Sequence, residues 1–239
     1  MIKPPINKLQ GAQAQPLKRP RCLQCSRPLS TCICKHIQRV ANHVELVILQ
    51  HPLEVNEAKN SALLLHLCLH NSQLHAGEQF NADFFASFNL NTPHLTTYNL
   101  LLYPETSEEK SLGITPSPAM DNERLGLEML NIERSITGHN LNKNAPIRLW
   151  VLDATWRKSR KMLYLNPLLQ TMPRLKLDNC APTMYSIRKA HSENQLSTLE
   201  ASCYALQQLE QNLVDYTPIL RAFAGFIAQQ KTFIPSSHL

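Results

Sequence analysis

The sequence predicts an α/β protein built on a parallel β-sheet with helices on both faces. Short, continuous apolar runs recur along the chain, and such runs are typical of strands that are buried on both faces. Segments with apolar residues at helical spacing separate these runs. The 239 residues, 43% hydrophobic and 18% charged, are enough for one large domain with a small appendage and too apolar for a disordered chain.

The predicted elements alternate along the chain. The predicted strands are residues 44–49, 96–103, 147–152 and 174–177. The predicted helices are residues 57–69, 121–136, 157–164, 197–214 and 220–230. Ligands of such sheets bind outside the carboxyl ends of the strands. We therefore expect a site at the loops that begin at Gln50, Tyr103 and Asp153.

Residues 1–40 differ in composition from the rest of the chain. Residues 1–20, which hold four prolines, are predicted to form a basic flexible arm. Residues 21–40 are predicted to form a cysteine-rich knuckle, and residues 41–239 the α/β domain.

Four cysteines lie within thirteen residues, as Cys22-x-x-Cys25 and Cys32-x-Cys34. Four thiolates at this spacing suit a structural Zn²⁺ site, in which each sulfur lies about 2.3 Å from the metal. The alternative is four free or redox-active thiols. We expect a structural zinc module that helps to hold RNA. The other three cysteines, in apolar surroundings, are expected in the core.

Positive charge is concentrated in two blocks, although the net charge is only +6. Residues 1–39 contain eight Lys/Arg and no acid, and residues 148–189 contain nine Lys/Arg against two acids. Two basic blocks on an otherwise acidic protein indicate a surface that faces a polyanion such as nucleic acid. The alternative is a solvated basic tail and one basic helix.

The composition also excludes several classes. The six glycines include no pair spaced as GxG, so a Rossmann turn or a Walker A loop is excluded. No apolar stretch reaches the ~18 residues of a membrane span, and the N-terminus lacks the apolar core of a signal peptide. We therefore expect a cytoplasmic protein with no membrane contact.

The third predicted strand ends at Asp153-Ala154-Thr155-Trp156. A carboxylate at the carboxyl end of a parallel strand, next to a hydroxyl and an indole, is a plausible catalytic corner, where Asp153 would accept a proton and Trp156 would stack on a base. The alternative is helix capping by Asp153 or Thr155, with Trp156 in the core.

With this corner, the sequence resembles the DTW-domain family, whose signature is Asp-x-Thr-Trp. The resemblance covers nearly the whole chain. It includes, in order, the four-cysteine cluster, Ile48-Leu49-Gln50-His51-Pro52-Leu53-Glu54, Leu101-Leu102-Tyr103-Pro104, Pro173-Arg174, Tyr185-Ser186-Ile187-Arg188-Lys189 and Leu196-Ser197-Thr198-Leu199-Glu200-Ala201. Two departures, Ala154 in place of a common glycine and Thr183 in place of serine, remove no charged or metal-binding group.

The resemblance implies a SPOUT-like fold with a C-terminal trefoil knot around S-adenosylmethionine. It implies transfer of the 3-amino-3-carboxypropyl group to N3 of a uridine in the variable loop of tRNA, with methylthioadenosine as the by-product. Bacterial members with a cysteine knuckle carry out this reaction. Asp153 is the candidate general base, and it would work better if burial raised the pKa of its carboxyl group.

The resemblance also implies binding residues. The expected cofactor contacts are Leu102, Tyr103, Pro104, Leu152, Thr155, Trp156, Leu196, Ser197, Thr198 and Glu200. Ser197 and Glu200 also match a plain capping box. The expected RNA contacts are His51, Glu54, Arg157, Lys158, Arg160, Lys161, Arg174, Arg188 and Lys189. A purely structural His51 and a solvated basic face are the alternatives.

The sequence also fits two alternative functions. One is a SPOUT-type RNA methyltransferase, which would release S-adenosylhomocysteine instead of methylthioadenosine. The other is a non-catalytic zinc-knuckle RNA-binding protein, which would not need the carboxylate of Asp153. The sequence implies no obligate protein partner.

Overall fold

A six-stranded sheet organises the computed structural model. The structure describes residues 20–88, 97–104, 113, 117, 119–121, 123–124, 146–177 and 196–233. The strands are β1 (Glu45–Gln50), β2 (Ser72–Ala76), β3 (Tyr98–Leu102), β4 (Ala119–Met120), β5 (Ile147–Asp153) and β6 (Arg174–Leu175). They lie in the order β2-β1-β5-β3-β6-β4, and each pairing is parallel. The predicted parallel sheet is therefore confirmed.

The helices cover both faces of the sheet, as predicted. They are α1 (Ala62–Cys68), α2 (Ala82–Ala86), α3 (Trp156–Leu165), α4 (Pro167–Gln170), α5 (Thr198–Leu209) and α6 (Thr217–Lys231). On one face, α1, α5 and α6 bury apolar side chains against Leu46, Ile48, Leu149 and Val151. On the other, α2, α3 and α4 do the same against Val47, Leu49, Trp150 and Leu152. The alternation of neighbours along β1 and β5 explains their continuous apolar sequence.

Several elements differ from their predicted bounds. The predicted helix 57–69 begins only at Ala62, because residues 51–60 form a short 3₁₀ turn (Pro52–Glu54) and a loop. The predicted helix 197–214 ends at Leu209, and Gln211 and Asn212 then take the left-handed conformation, with φ of 51° and 60°.

Other elements were missed or lie beyond the described residues. β2 was not predicted, because it lacks an apolar run. It is an edge strand whose side chains are at most partly buried, so polar residues fit there. The helices α2 and α4 are too short for a clear helical period. Most of the predicted helix 121–136, the basic arm up to residue 19, and residues 178–195 of the C-terminal part where the knot is expected lie outside the described residues.

A buried carboxylate fixes the entry into β1. Glu210 follows α5, and its Oε1 accepts hydrogen bonds from the backbone N–H groups of His43 (2.7 Å) and Val44 (2.8 Å). The buried Val44 N–H would otherwise have no partner, which is costly. This contact connects the start of β1 to the helix layer, and the loop that forms part of the site follows β1. Among the described residues, no helix is both long and apolar enough to cross a membrane.

Candidate functional site

The four clustered cysteines converge in the structure. Their Sγ atoms all lie within 4.8 Å of one another, with Cys22 and Cys34 at 3.5 Å and Cys25 and Cys32 at 3.8 Å. Four sulfurs about 2.3 Å from a tetrahedral metal would lie about 3.8 Å apart. All four cysteines are free of disulfide bonds. The sulfurs therefore form a cluster compact enough to hold a metal ion.

The local backbone favours cation binding by the four cysteines. Ser26 adopts a left-handed conformation (φ 55°) and its N–H donates to Cys22 O at 2.9 Å, which forms a tight turn after Cys25. Backbone hydrogen bonds from Cys25 and Gln24 lower the pKa of the Cys22 thiol to about 6. Burial raises the pKa of the Cys34 thiol, and the three neighbouring cysteines raise it further, because adjacent thiolates repel one another. A bound divalent cation would relieve that repulsion.

Asp153 lies at the carboxyl end of β5, directly opposite the last residue of β1. The register pairs Gln50 with Asp153, and both side chains are buried. Gln50 Nε2 donates to Asp153 Oδ2 at 2.7 Å, and the His51 N–H donates to the backbone carbonyl of Asp153 at 3.0 Å. The carboxylate is thus held by an amide that can donate to it but cannot take its proton. Gln50 was not among the predicted site residues, although its position at the end of the first predicted strand indicates that it lies near the site.

His51 joins this edge to the basic turn of α3. Its Nδ1 accepts the Leu53 N–H (3.1 Å), so Nε2 carries the proton and donates to Glu78 Oε1 (3.1 Å). The other Glu78 oxygen accepts from Lys161 Nζ at 3.0 Å. These bonds, from Lys161 first and then His51, lower the pKa of the Glu78 carboxyl. Glu78 was not foreseen, because it follows an edge strand that carries no apolar run.

An open cleft of about 570 Å³ lies at this edge. It is lined by His51, Pro52, Leu53, Glu78, Thr155, Arg157, Lys158 and Lys161. Lys158 Nζ also donates to Glu54 Oε1 at 2.8 Å. Lys158 and Lys161 of this turn therefore have carboxylate partners. Arg157 is exposed, and Arg160 is partly buried. The structure brings together the predicted residues of the first strand loop and the basic turn.

Trp156 stands beside the cleft rather than in the core. It is 43% exposed, and its ring meets the buried Tyr103 ring edge-on at 6.1 Å. The alternative that placed Trp156 in the core is therefore wrong. Thr155 occupies the N-cap position of α3 but makes no side-chain cap hydrogen bond. The Tyr103 hydroxyl shares a hydrogen bond with Ser159 Oγ at 3.3 Å. The loop after β3 is thus in contact with the first turn of α3.

Arg174 lies apart from the exposed cations. It is 1% exposed, its guanidinium lies over the Tyr103 ring at 5.4 Å, and Nη1 donates to Pro104 O at 3.3 Å. A surface phosphate contact does not fit this burial, because the side chain instead fixes the loop after β3. Arg188 and Lys189 lie outside the described residues.

The expected capping box at the start of α5 is present. Ser197 Oγ accepts the Glu200 N–H (3.2 Å), and Glu200 Oε2 accepts the Ser197 N–H (2.9 Å). Both side chains are buried. This confirms their structural role, and the box fixes the position of the partly buried Leu196 and Thr198.

Most of the chain matches a known protein family. The DTW domain pattern matches residues 19–231, which is most of the sequence. The chain belongs to the DTW domain family. The matched region includes the cysteine cluster, Asp153 and the cleft.

Three curated DTW relatives are named tRNA-uridine aminocarboxypropyltransferase 2. The macaque protein (Macaca fascicularis) is 27% identical over 222 residues, and the mouse protein (Mus musculus) is 27% identical over 219 residues. Each alignment covers 89% of this chain and 64% of the relative, so the chain spans less than two thirds of their length. The fruit-fly protein (Drosophila melanogaster) is 27% identical over 212 residues, or 84% of this chain and 72% of the relative. No solved structure matches the chain.

Metal binding by this DTW chain is directly testable. We expect the purified protein to carry about one divalent metal ion per chain, and Cys25→Ser to carry much less, because the site then loses one of its four thiolate ligands. Elemental mass spectrometry measures the ratio. Cys68→Ala is the matched control, since Cys68 is buried outside the cluster. Full metal content in Cys25→Ser would contradict the assignment.

Proposed function

We propose that this chain transfers the 3-amino-3-carboxypropyl group of S-adenosylmethionine to N3 of a uridine in the variable loop of tRNA. One observation carries the proposal: a chain aligned over most of its length with three aminocarboxypropyltransferases holds the aspartate of its Asp-x-Thr-Trp sequence, Asp153, at the end of the strand that leads directly into a cleft lined by cations. The carboxyl edge of a parallel sheet is also where such folds bind ligands.

Bound S-adenosylmethionine would supply a sulfonium whose γ-carbon is an electrophile. We assign Asp153 as the base that takes the N3 proton of uracil, so that the N3 electron pair forms the new N–C bond. The C–S pair stays with sulfur, and methylthioadenosine leaves. Gln50 fixes the orientation of the Asp153 carboxylate through its 2.7 Å hydrogen bond. The chain thus contributes mainly orientation and a proton acceptor.

The remaining groups receive supporting roles in this proposal. The cofactor would lie against the loops 102–104, 152–156 and 196–200, where the ring of Trp156 packs edge-on against the ring of Tyr103. Arg157, Lys158, Arg160 and Lys161 would contact tRNA phosphates, which position the RNA without reading its sequence. The cysteine cluster would hold a structural Zn²⁺, since a compact group of four thiolates favours that ion.

The proposal also includes an organisation and a location for the protein. We retain residues 1–20 as a basic arm, 21–40 as the metal module and 41–239 as the catalytic domain. Free thiols at all of the described cysteines are consistent with the cytoplasm, where disulfides are rare.

The activity is tested with purified protein, S-adenosylmethionine and unmodified tRNA. We expect mass spectrometry of the digested RNA to find an added aminocarboxypropyl group on one uridine, and chromatography to find equimolar methylthioadenosine. Asp153→Ala and Asp153→Asn should lower kcat by roughly 10²- to 10⁴-fold, because the proton acceptor is lost. S-adenosylhomocysteine as the by-product would instead identify a methyltransferase, and RNA binding without cofactor turnover a binding protein.

The role of Gln50 has its own test. Gln50→Leu should lower kcat about tenfold or more at an unchanged KM for tRNA, because Asp153 loses its orienting donor. Gln50→Glu should move the acidic limb of the pH–rate profile to higher pH, because two adjacent carboxylates resist ionising together. Gln73→Leu is the matched control, since Gln73 on β2 makes a similar 2.7 Å bond to Glu45 away from the site. Equal effects of Gln50→Leu and Gln73→Leu would argue against a positioning role.

The basic turn is tested by the salt dependence of tRNA binding. The double variant Arg157→Met, Lys158→Met should weaken binding and reduce the slope of log K against log[salt] by about 1 to 2, because phosphate contacts release counterions. The control is Arg221→Met, Lys231→Met, which removes the same charge from exposed positions on α6. A slope like that of the wild type would indicate a solvated face.

A further inference from the structure

The proposed mechanism leaves the cysteine module, residues 21–40, without a direct part in the chemistry. The structure shows that this module is firmly docked. Its backbone packs on α6, where Gln229 Nε2 donates to Cys32 O (3.1 Å) and Gln229 Oε1 bonds His36 Nε2 (2.8 Å). A Cβ at Gly225 would lie 2.8 Å from His36 Nδ1, so only glycine allows this approach without displacement. The module therefore has a defined orientation on the domain.

One partly buried side chain of the module, Arg27, reaches across to the loop that follows β1. Arg27 lies between the two cysteine pairs, and its guanidinium donates to Ala58 O (Nη1, 2.9 Å) and to Asn60 O (Nη2, 3.1 Å). It also lies over the Phe226 ring at 5.4 Å. Arg27 O accepts the Cys22 N–H at 2.8 Å, so the backbone that carries this side chain is part of the metal turn.

The carbonyls that Arg27 holds belong to the cleft loop, residues 51–60. Asn60 Nδ2 donates to Glu54 O (3.1 Å) and Val55 O (3.3 Å), which closes the loop on itself. Glu54 then accepts from Lys158 of the basic turn at 2.8 Å. The same loop begins with His51, Pro52 and Leu53, which line the cleft. A series of hydrogen-bonded residues thus connects Arg27 in the cysteine module to Lys158 in the lining of the cleft.

We propose that Arg27 is a positioning residue through which the metal-loaded cysteine module orders the cleft loop. A planar guanidinium suits this role, because two of its N–H groups reach two carbonyls in fixed geometry, which an ammonium group cannot do. The module would then act on the site from within, by bracing the loop, and not chiefly as an added RNA-binding surface. The consequence for tRNA rests on the proposed function, whereas the consequence for loop order does not.

The test measures loop order and catalysis in the same variants of the full chain. Arg27→Met should speed amide hydrogen exchange at residues 54–60 about tenfold in the metal-loaded protein, while the metal content stays at one ion per chain. It should raise the KM for tRNA about tenfold and leave the Kd for S-adenosylmethionine unchanged, because the expected cofactor loops lie elsewhere. Arg27→Lys should restore only part of both effects.

Lys35→Met is the matched control, because it removes one positive charge from an exposed position in the same module. We expect it to leave both the exchange and the KM at wild-type values. Unchanged exchange at residues 54–60 in Arg27→Met would overturn the proposal, as would an equal rise in KM for Lys35→Met, which would mean that the module acts through charge. If no transfer activity is found in the wild-type chain, the proposed function fails, and the exchange data still decide whether Arg27 braces the loop.

Discussion

The parallel pairing of β1 with β5 brings Gln50 opposite Asp153, and the rest of the candidate site is arranged around that pair. Parallel strands end at the same edge of a sheet, so the loops that follow them emerge side by side. The loop after β1 supplies His51, and the loop after β5 supplies Thr155 and the basic turn. Changing this register by one residue would turn Asp153 toward the opposite face and separate it from its amide partner.

Ligand binding at this edge of the sheet cannot depend on glycine-rich turns, because the chain has only six glycines. Nucleotide-binding turns that approach phosphates through glycine backbone are excluded by the six scattered glycines. The edge instead offers side chains: a buried carboxylate, an exposed indole against a buried phenol, and a histidine whose proton position is fixed by a backbone donor. Recognition by side chains in fixed positions suits the proposed transfer reaction, in which orientation of two substrates would be the main requirement.

The charge of the cleft is more balanced than the sequence indicates. The run from Arg157 to Lys161 looks like an uncompensated basic turn, yet Lys158 pairs with Glu54 and Lys161 with Glu78, which lie 104 and 83 residues away. Such pairs hold the long side chains in place while weakening the attraction for any polyanion. If the proposed tRNA substrate binds here, this arrangement would favour an RNA whose shape fits the cleft over one that offers charge alone.

The sequence by itself determined the parallel sheet, the helices on both faces, the four-cysteine cluster and the Asp153 corner, because each is encoded in local periodicity or spacing. It did not reveal β2, whose exposure at the sheet edge removes the apolar pattern. Tertiary structure alone decided that Gln50 binds Asp153, that Trp156 is exposed, that Arg174 is buried and that Arg27 faces the cleft loop. These contacts join residues distant in the chain, so no local pattern carries them, and only packing of the folded elements fixes which side chains meet.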